Sequence, residues 1–279
     1  MICSVRMLIR RGVCLLLFLS LLACAATAHP GVEAYADVLK QRVNERGMVD
    51  YRGLKRSPEQ LESFLDAIAA IKRADYDTWS RDEQIAFWLN AYNGITLKAI
   101  IDHYPIEPSF FKSRIYPENS IRQIDGVWDE LAWEVMGRKM TLDEIEHGVL
   151  RKDFDEPRIH MALVCAAMGC PPLRHEPYVG KRLDAQLNDQ TQRFLSNPKT
   201  FRIDREEEEV RLSPIFKWFG EDFISRHPPR GRFDDHSRAE GAVLMFLTEH
   251  LEEGDARWLL RNEFDIEYLD YDWSLNEQE

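Results

Sequence analysis

Basic residues are in short supply: 36 Lys and Arg stand against 48 Asp and Glu, a formal net charge of −12. That deficit argues against a nucleic-acid binder, whose contact face would be basic, and against adhesion to anionic lipid. Long apolar runs are also missing beyond one near the N-terminus. Val13–Ala23 is apolar but too short for a membrane span, which needs roughly 20 residues. No repeat, low-complexity tract or Pro/Gly/Ser linker divides the 279 residues. G-x-S-x-G, P-loop and dinucleotide fingerprints are absent, as are H-E-x-x-H and a paired C-x-x-C. The common signatures of serine hydrolases, nucleotide enzymes and zinc proteases are therefore not available to explain the chain.

What is present begins with an address. Met1–Gly12 carries Arg6, Arg10 and Arg11 and no acid, an apolar stretch follows, and Ala26-Thr27-Ala28 supplies a small-x-small site. This is the layout of a secretory signal. It assigns residues 1–28 to the signal and 29–279 to one domain that is periplasmic or secreted. Leu21-Leu22-Ala23-Cys24 offers the alternative of a lipid anchor through Cys24. Cys3, Cys14 and Cys24 leave with the signal. Cys165 and Cys170 remain, in an oxidising compartment where disulfides persist.

Periodicity then predicts helices over Val32–Gly47, from Ser57-Pro58 onward, over Ser80–His103 and over Leu183–Leu195, and others opening at Ser213-Pro214 and at Ser237, the last ending near Gly254. Ser80 with Glu83, and Thr141 with Glu144, form capping boxes. Ser80–His103 is apolar nearly all round, so Asn90 and Asn93 need protein partners. Phe201/Ile203 and Val210/Leu212 predict a hairpin with an acidic tip, and Phe264–Trp273 a last strand. The short apolar run Arg158–Val164 predicts a buried strand with His160, Ala162 and Val164 on one side. The fold class expected is α+β, a mostly helical domain packed around a small sheet.

Three features carry chemistry. Glu146 falls inside the apolar face that Leu142, Ile145, Val149 and Leu150 define, with His147 at its border. A carboxylate there is expensive unless paired or protonated. It is either one half of a structural ion pair or a site carboxylate beside a site histidine. His160 is either a hydrogen-bonded core histidine or a ligand and base. Cys170 lies in a loop stiffened by Pro171 and Pro172, where an unperturbed thiol, pKa about 8.5, would be only roughly 3% thiolate at pH 7. A nearby His⁺ or Arg would raise that fraction, and Arg174 is close in sequence. The same Cys170 is equally suited to a disulfide with Cys165. Glu146, His147, His160 and Cys170 are also zinc-type donors, though without a metal spacing. Asp222 reads as a surface acid, with pairing to a basic group in a site as the alternative.

Several stretches together carry a resemblance: Val49-Asp50-Tyr51, Ala86–Gly94 (AFWLNAYNG), Leu142–Arg151 (LDEIEHGVLR), Arg158–Arg174, Pro177-Tyr178, Ser213–Phe223 (SPIFKWFGEDF) and Tyr271–Asn276 (YDWSLN). They resemble the domain of unknown function 547 family. The resemblance implies a shared fold and family-typical polar positions at Asn90, Asn93, Glu146, His147, His160, Cys165, Cys170 and Arg174, and implies no reaction.

The leading expectation is a thiol-dependent hydrolase or acyl transferase. Cys170 would be the nucleophile, His147 or His160 the base, Glu146 an orienting acid, and Asn90, Asn93 and Arg174 orienting or substrate-binding groups. The rivals are a non-enzymatic envelope binding or assembly domain with a structural Cys165–Cys170 disulfide, and a metal-dependent hydrolase using zinc. No resident cofactor is expected, and the ligand would be a small molecule or peptide.

Overall fold

The computed structural model describes residues 29–261 and 263–279. The signal segment and Cys24 lie outside the described residues. Among them, no helix is long and apolar enough to cross a membrane. The architecture is α+β, with helices predominating over two small sheets.

The Arg81–His103 helix is the axis of the larger apolar cluster. Its capping box forms as expected: Ser80 accepts from the Glu83 backbone while Glu83 reaches back to the Ser80 N–H. Residues Ile85 to Leu97 are buried without interruption. The Glu59–Ala70 helix crosses it so closely that a Cβ on Gly94 would lie 2.5 Å from the Phe64 ring. Only glycine permits that approach. The helix predicted over Val32–Gly47 stops at Arg42, because Asn44 folds its side chain onto the Arg46 and Met48 N–H groups and Gly47 takes a φ of 78°. Helix, rather than sheet, occupies the centre of this cluster.

A hairpin that the sequence reading missed, β1 (Ala132–Val135) with β2 (Arg138–Thr141), turns on Met136 and Gly137, both at positive φ. It delivers the chain to Thr141, whose capping box opens the Leu142–Ile145 helix. The second apolar cluster holds β3 (Phe201–Asp204), antiparallel to β4 (Glu209–Leu212) as the predicted hairpin, with Phe201 opposite Leu212 and Ile203 opposite Val210, and β5 (Asp265–Tyr268) parallel to β4. The Arg238–His250 helix covers it; this helix ends at Leu251, and Gly254 lies inside the next helix, Glu253–Arg261.

The predicted strand Arg158–Val164 is instead a 3₁₀ helix over Pro157–Met161 followed by irregular chain. Pro157 sits in the first turn and Glu156 accepts the Arg158 N–H, which commits the segment to a helical turn. Ile159 through Val164 are all buried, so no face alternates.

Candidate functional site

A cavity of about 450 Å³ opens where the two apolar clusters meet. Its lining includes Cys165, Cys170, Glu146, His147 and His160, five of the residues singled out from the sequence. Asn90, Asn93 and Arg174 are not part of it.

The sulfurs are positioned from two sides. On one, Asn93 of the central helix donates to the Ala162 carbonyl at 3.0 Å and accepts the Val164 N–H at 2.9 Å. This clamp ends the 3₁₀ segment and aims Cys165 into the cavity. On the other, the segment around residues 272–276 straps the loop: Met168 N–H donates to the Ser274 carbonyl and Gly169 N–H to the Asp272 carbonyl, both at 2.8 Å. A Cβ on Gly169 would meet the Tyr271 ring at 3.1 Å and the Asp272 nitrogen at 3.0 Å, so the strap lies tightly against this glycine. Ala166, inside the loop, holds a φ of 57°, a conformation costing on the order of 1 kcal/mol or more for a residue with a Cβ.

Cys165 and Cys170 form a disulfide, with Cα atoms 6.2 Å apart. Of the two readings open for Cys170, a free thiol or a disulfide with Cys165, the structure has the disulfide. Cys165 is partly exposed, whereas Cys170 is 7% exposed. The Cys170 sulfur accepts the Cys165 backbone N–H at 3.0 Å. The Tyr271 hydroxyl lies 3.0 Å from Cys170 Sγ and 3.2 Å from Cys165 Sγ. Burial, reinforced by the Glu146 charge, holds the Tyr271 pKa well above its usual value, so the hydroxyl remains a donor.

Glu146 opens a π-helical turn, Glu146–Leu150, that interrupts the helix begun at Leu142. Such wide turns are rare and cluster at functional sites. Glu146 is 8% exposed, and burial pushes its carboxyl up to about 7; the Tyr92 hydrogen bond and the Arg151 charge pull the other way without prevailing. It is thus an acid poised near neutrality.

Neither imidazole is hydrogen-bonded to a sulfur. His147 Nδ1 accepts from Arg151 Nη1 at 2.7 Å, which fixes His147 as neutral with its proton on Nε2; burial and the Arg151 charge both lower its pKa. His160 is buried, stacked on Phe219 at 4.1 Å, with Nε2 2.8 Å from Asp222 Oδ2. Burial lowers its pKa although Asp222 opposes the shift. Arg151 grips Asp222 with two bonds, 2.6 and 2.9 Å. Burial would raise the Asp222 pKa, but the bonds from His160 and Arg151 hold it well below the carboxylate range. Asp222, expected at the surface, is thus the hub of a His160–Asp222–Arg151–His147 network. Among the described residues no group of three or more His, Cys, Asp or Glu is arranged to hold a metal, so the zinc-type donors share a cavity without forming a ligand set.

The remaining candidates serve the scaffold. Asn90 exchanges two hydrogen bonds with the Tyr178 backbone and meets His29 Nε2 at 2.9 Å. Arg174 bonds Asp189 and Glu176, tying the chain after the cysteine loop to the Leu183–Leu195 helix. Tyr92, Tyr271 and Arg122 line the cavity without having been singled out, since nothing local to them signals a site.

Residues 76–195 match the family model described as "Protein of unknown function, DUF547". The chain resembles the DUF547 family. The matched span contains Glu146, His147, His160 and both cysteines. Asp222, Trp218 and Tyr271, on the facing wall, lie beyond the DUF547 match. Neither the curated proteins nor the solved structures provide a match.

Proposed function

We propose that this chain carries out thiol–disulfide exchange, with Cys165 and Cys170 as its working couple. One observation carries the reading: the disulfide forms part of the cavity wall, and a hydroxyl donor lies within reach of both sulfurs. A disulfide serving only as a staple has no need of a 450 Å³ approach or of a shared donor.

In this reading the two sulfurs take different parts. An incoming thiolate attacks Cys165 Sγ, which belongs to the less buried residue of the pair. The Cys165–Cys170 bond breaks and its electron pair leaves on Cys170, where the Cys165 N–H and the Tyr271 hydroxyl stabilise the thiolate before it takes a proton. Glu146, whose carboxyl burial pushes up to about 7, lines the same cavity and would serve as the proton reservoir. A second thiolate attacks the substrate sulfur of the mixed disulfide, releasing Cys165. Two thiols become a disulfide, and the protein couple becomes a dithiol. The reverse sequence reduces a disulfide; relative potentials set the direction. The export segment read from the sequence would deliver this couple to an oxidising compartment.

The hydrolase reading needs a free Cys170 thiol beside an imidazole base, whereas both imidazoles are engaged by Arg151 and Asp222. The test is equilibration of the full chain in glutathione redox buffers, followed by alkylation and mass measurement. The native protein should equilibrate within minutes. Cys165→Ser should abolish exchange, and Cys170→Ser should accumulate a mixed disulfide on Cys165. A couple that is reduced only after denaturation would refute exchange, and acylation of Cys170 by a thioester in the reduced protein would favour the hydrolase instead.

A further inference from the structure

Arg122 lines the same cavity in an unusual setting. Its guanidinium lies over three rings, 4.6 Å from the Tyr116 centroid, 5.0 Å from Trp273 and 5.3 Å from Trp128. One nitrogen, Nη2, donates to the Tyr116 hydroxyl at 2.7 Å. Among the described residues no carboxylate pairs with it. Arg151, by contrast, commits its fork to Asp222. Aromatic faces fix the plane of a guanidinium without neutralising its charge or occupying the donors along its edge. Most of the Arg122 donors therefore remain available to an anion, and a planar fork suits a carboxylate.

The opposite charge is close by. Asp129 and Asp143 line the cavity as well, and the Asp143 N–H donates to the carbonyl of Trp128, one of the rings beneath Arg122. Neither acid pairs with Arg122: Asp129 is exposed, and the nearest base to Asp143 is His147, with Nε2 3.7 Å from Oδ1 and its Nδ1 already held by Arg151, so the cavity presents both signs at once. A simple anion would be repelled by the two aspartates, and a simple cation by the guanidinium. A ligand carrying both charges satisfies the two sets together.

We propose that the cavity takes a zwitterionic thiol, with its carboxylate on Arg122, its ammonium toward Asp129 and Asp143, and its sulfur toward Cys165. The chemical class is an α-amino-acid thiol or its disulfide. This deepens the exchange reading and rests on it for the fate of the sulfur, but the recognition of the two charges does not depend on any reaction.

Two measurements keep the claims separate. The first is the rate at which cysteine, cysteamine, 3-mercaptopropionate and 2-mercaptoethanol reduce the oxidised full chain, compared at equal thiolate concentration. Cysteine should exceed the other three by about tenfold, the effect of one charge-assisted hydrogen-bonded contact. Arg122→Gln should bring its rate down to that of cysteamine. The second is calorimetric binding of S-methylcysteine, which carries both charges and cannot exchange. It should bind the wild type and weaken about tenfold in Arg122→Gln, with Arg122→Lys falling between because it keeps the charge and loses the fork. Equal rates for the four thiols together with no binding of S-methylcysteine would overturn this inference and leave exchange standing. Binding that depends on Arg122, in a protein whose disulfide no thiol reduces, would overturn exchange and support this inference.

Discussion

The Tyr271 hydroxyl stands 3.0 Å from Cys170 Sγ, although the two residues are 101 positions apart in the chain. The sulfur receives a second hydrogen bond from the Cys165 backbone, so a thiolate formed there has two donors waiting. Tyr271→Phe removes one of them and preserves the ring packing against Trp218 and Trp273. The Cys170 thiol pKa in the reduced protein should rise by about one unit, the worth of one hydrogen bond to a charged group. The pH dependence of its alkylation rate measures this shift.

Glu146 makes stability fall as pH rises. Its carboxyl is raised in the folded state to about 7 from an ordinary 4.5. The folded protein therefore binds the proton more tightly than the unfolded chain. The resulting stabilisation is complete below about pH 4.5 and is lost as pH rises through about 7. The full swing is on the order of 3 kcal/mol. Urea unfolding of Glu146→Gln should lack this component, so the difference in stability between variant and wild type should grow in the variant's favour from pH 5 to pH 8. A constant difference across that range would contradict the assignment.

Asn93→Ala should be costly. It strands the Ala162 carbonyl and the Val164 N–H inside the core, each of which carries a penalty of about 1–3 kcal/mol. Chemical denaturation should show a loss of roughly 2–4 kcal/mol. The yield of the Cys165–Cys170 bond on oxidative refolding should drop as well, because the segment leading into Cys165 loses its clamp.

Asp222→Asn separates the network from the sulfur chemistry. It removes the negative charge and leaves one acceptor oxygen where Arg151 and His160 had two. The depressed Asp222 pKa contributes stability above the ordinary carboxylate pKa that is lost as pH falls through the folded-state value. The variant should accordingly lose most stability near neutrality and converge toward wild type in strong acid. Reduction of the disulfide by 2-mercaptoethanol should change far less than in Tyr271→Phe, since no network member bonds either sulfur.

How much of this was legible in the sequence depended on the range of the cause. Ser80/Glu83 and Thr141/Glu144 are local devices, and both form as written. Glu146 is readable from helical angle alone, and it is buried where its neighbours Leu142, Ile145 and Leu150 are. The shortage of water around Asn90 and Asn93 followed from an all-apolar helix, but their duty as backbone clamps rather than ligand contacts did not. Arg158–Val164 misled because a short apolar run has no period, and Pro157 decided the outcome. Asp222, Tyr271 and Arg122 gain meaning only from partners that folding brings to them. No local pattern could mark Arg122 as an arginine packed against three rings instead of a carboxylate.

The strap over residues 272–276 has a consequence for the order of assembly. Both cysteines leave the ribosome about a hundred residues before Tyr271. Until that stretch emerges, Met168 and Gly169 have no carbonyls to meet and the sulfurs have no hydroxyl above them. The pair is therefore enclosed by groups that lie about a hundred residues later in the chain, so the surroundings of the sulfurs depend on docking of that distant segment rather than on the cysteine loop itself.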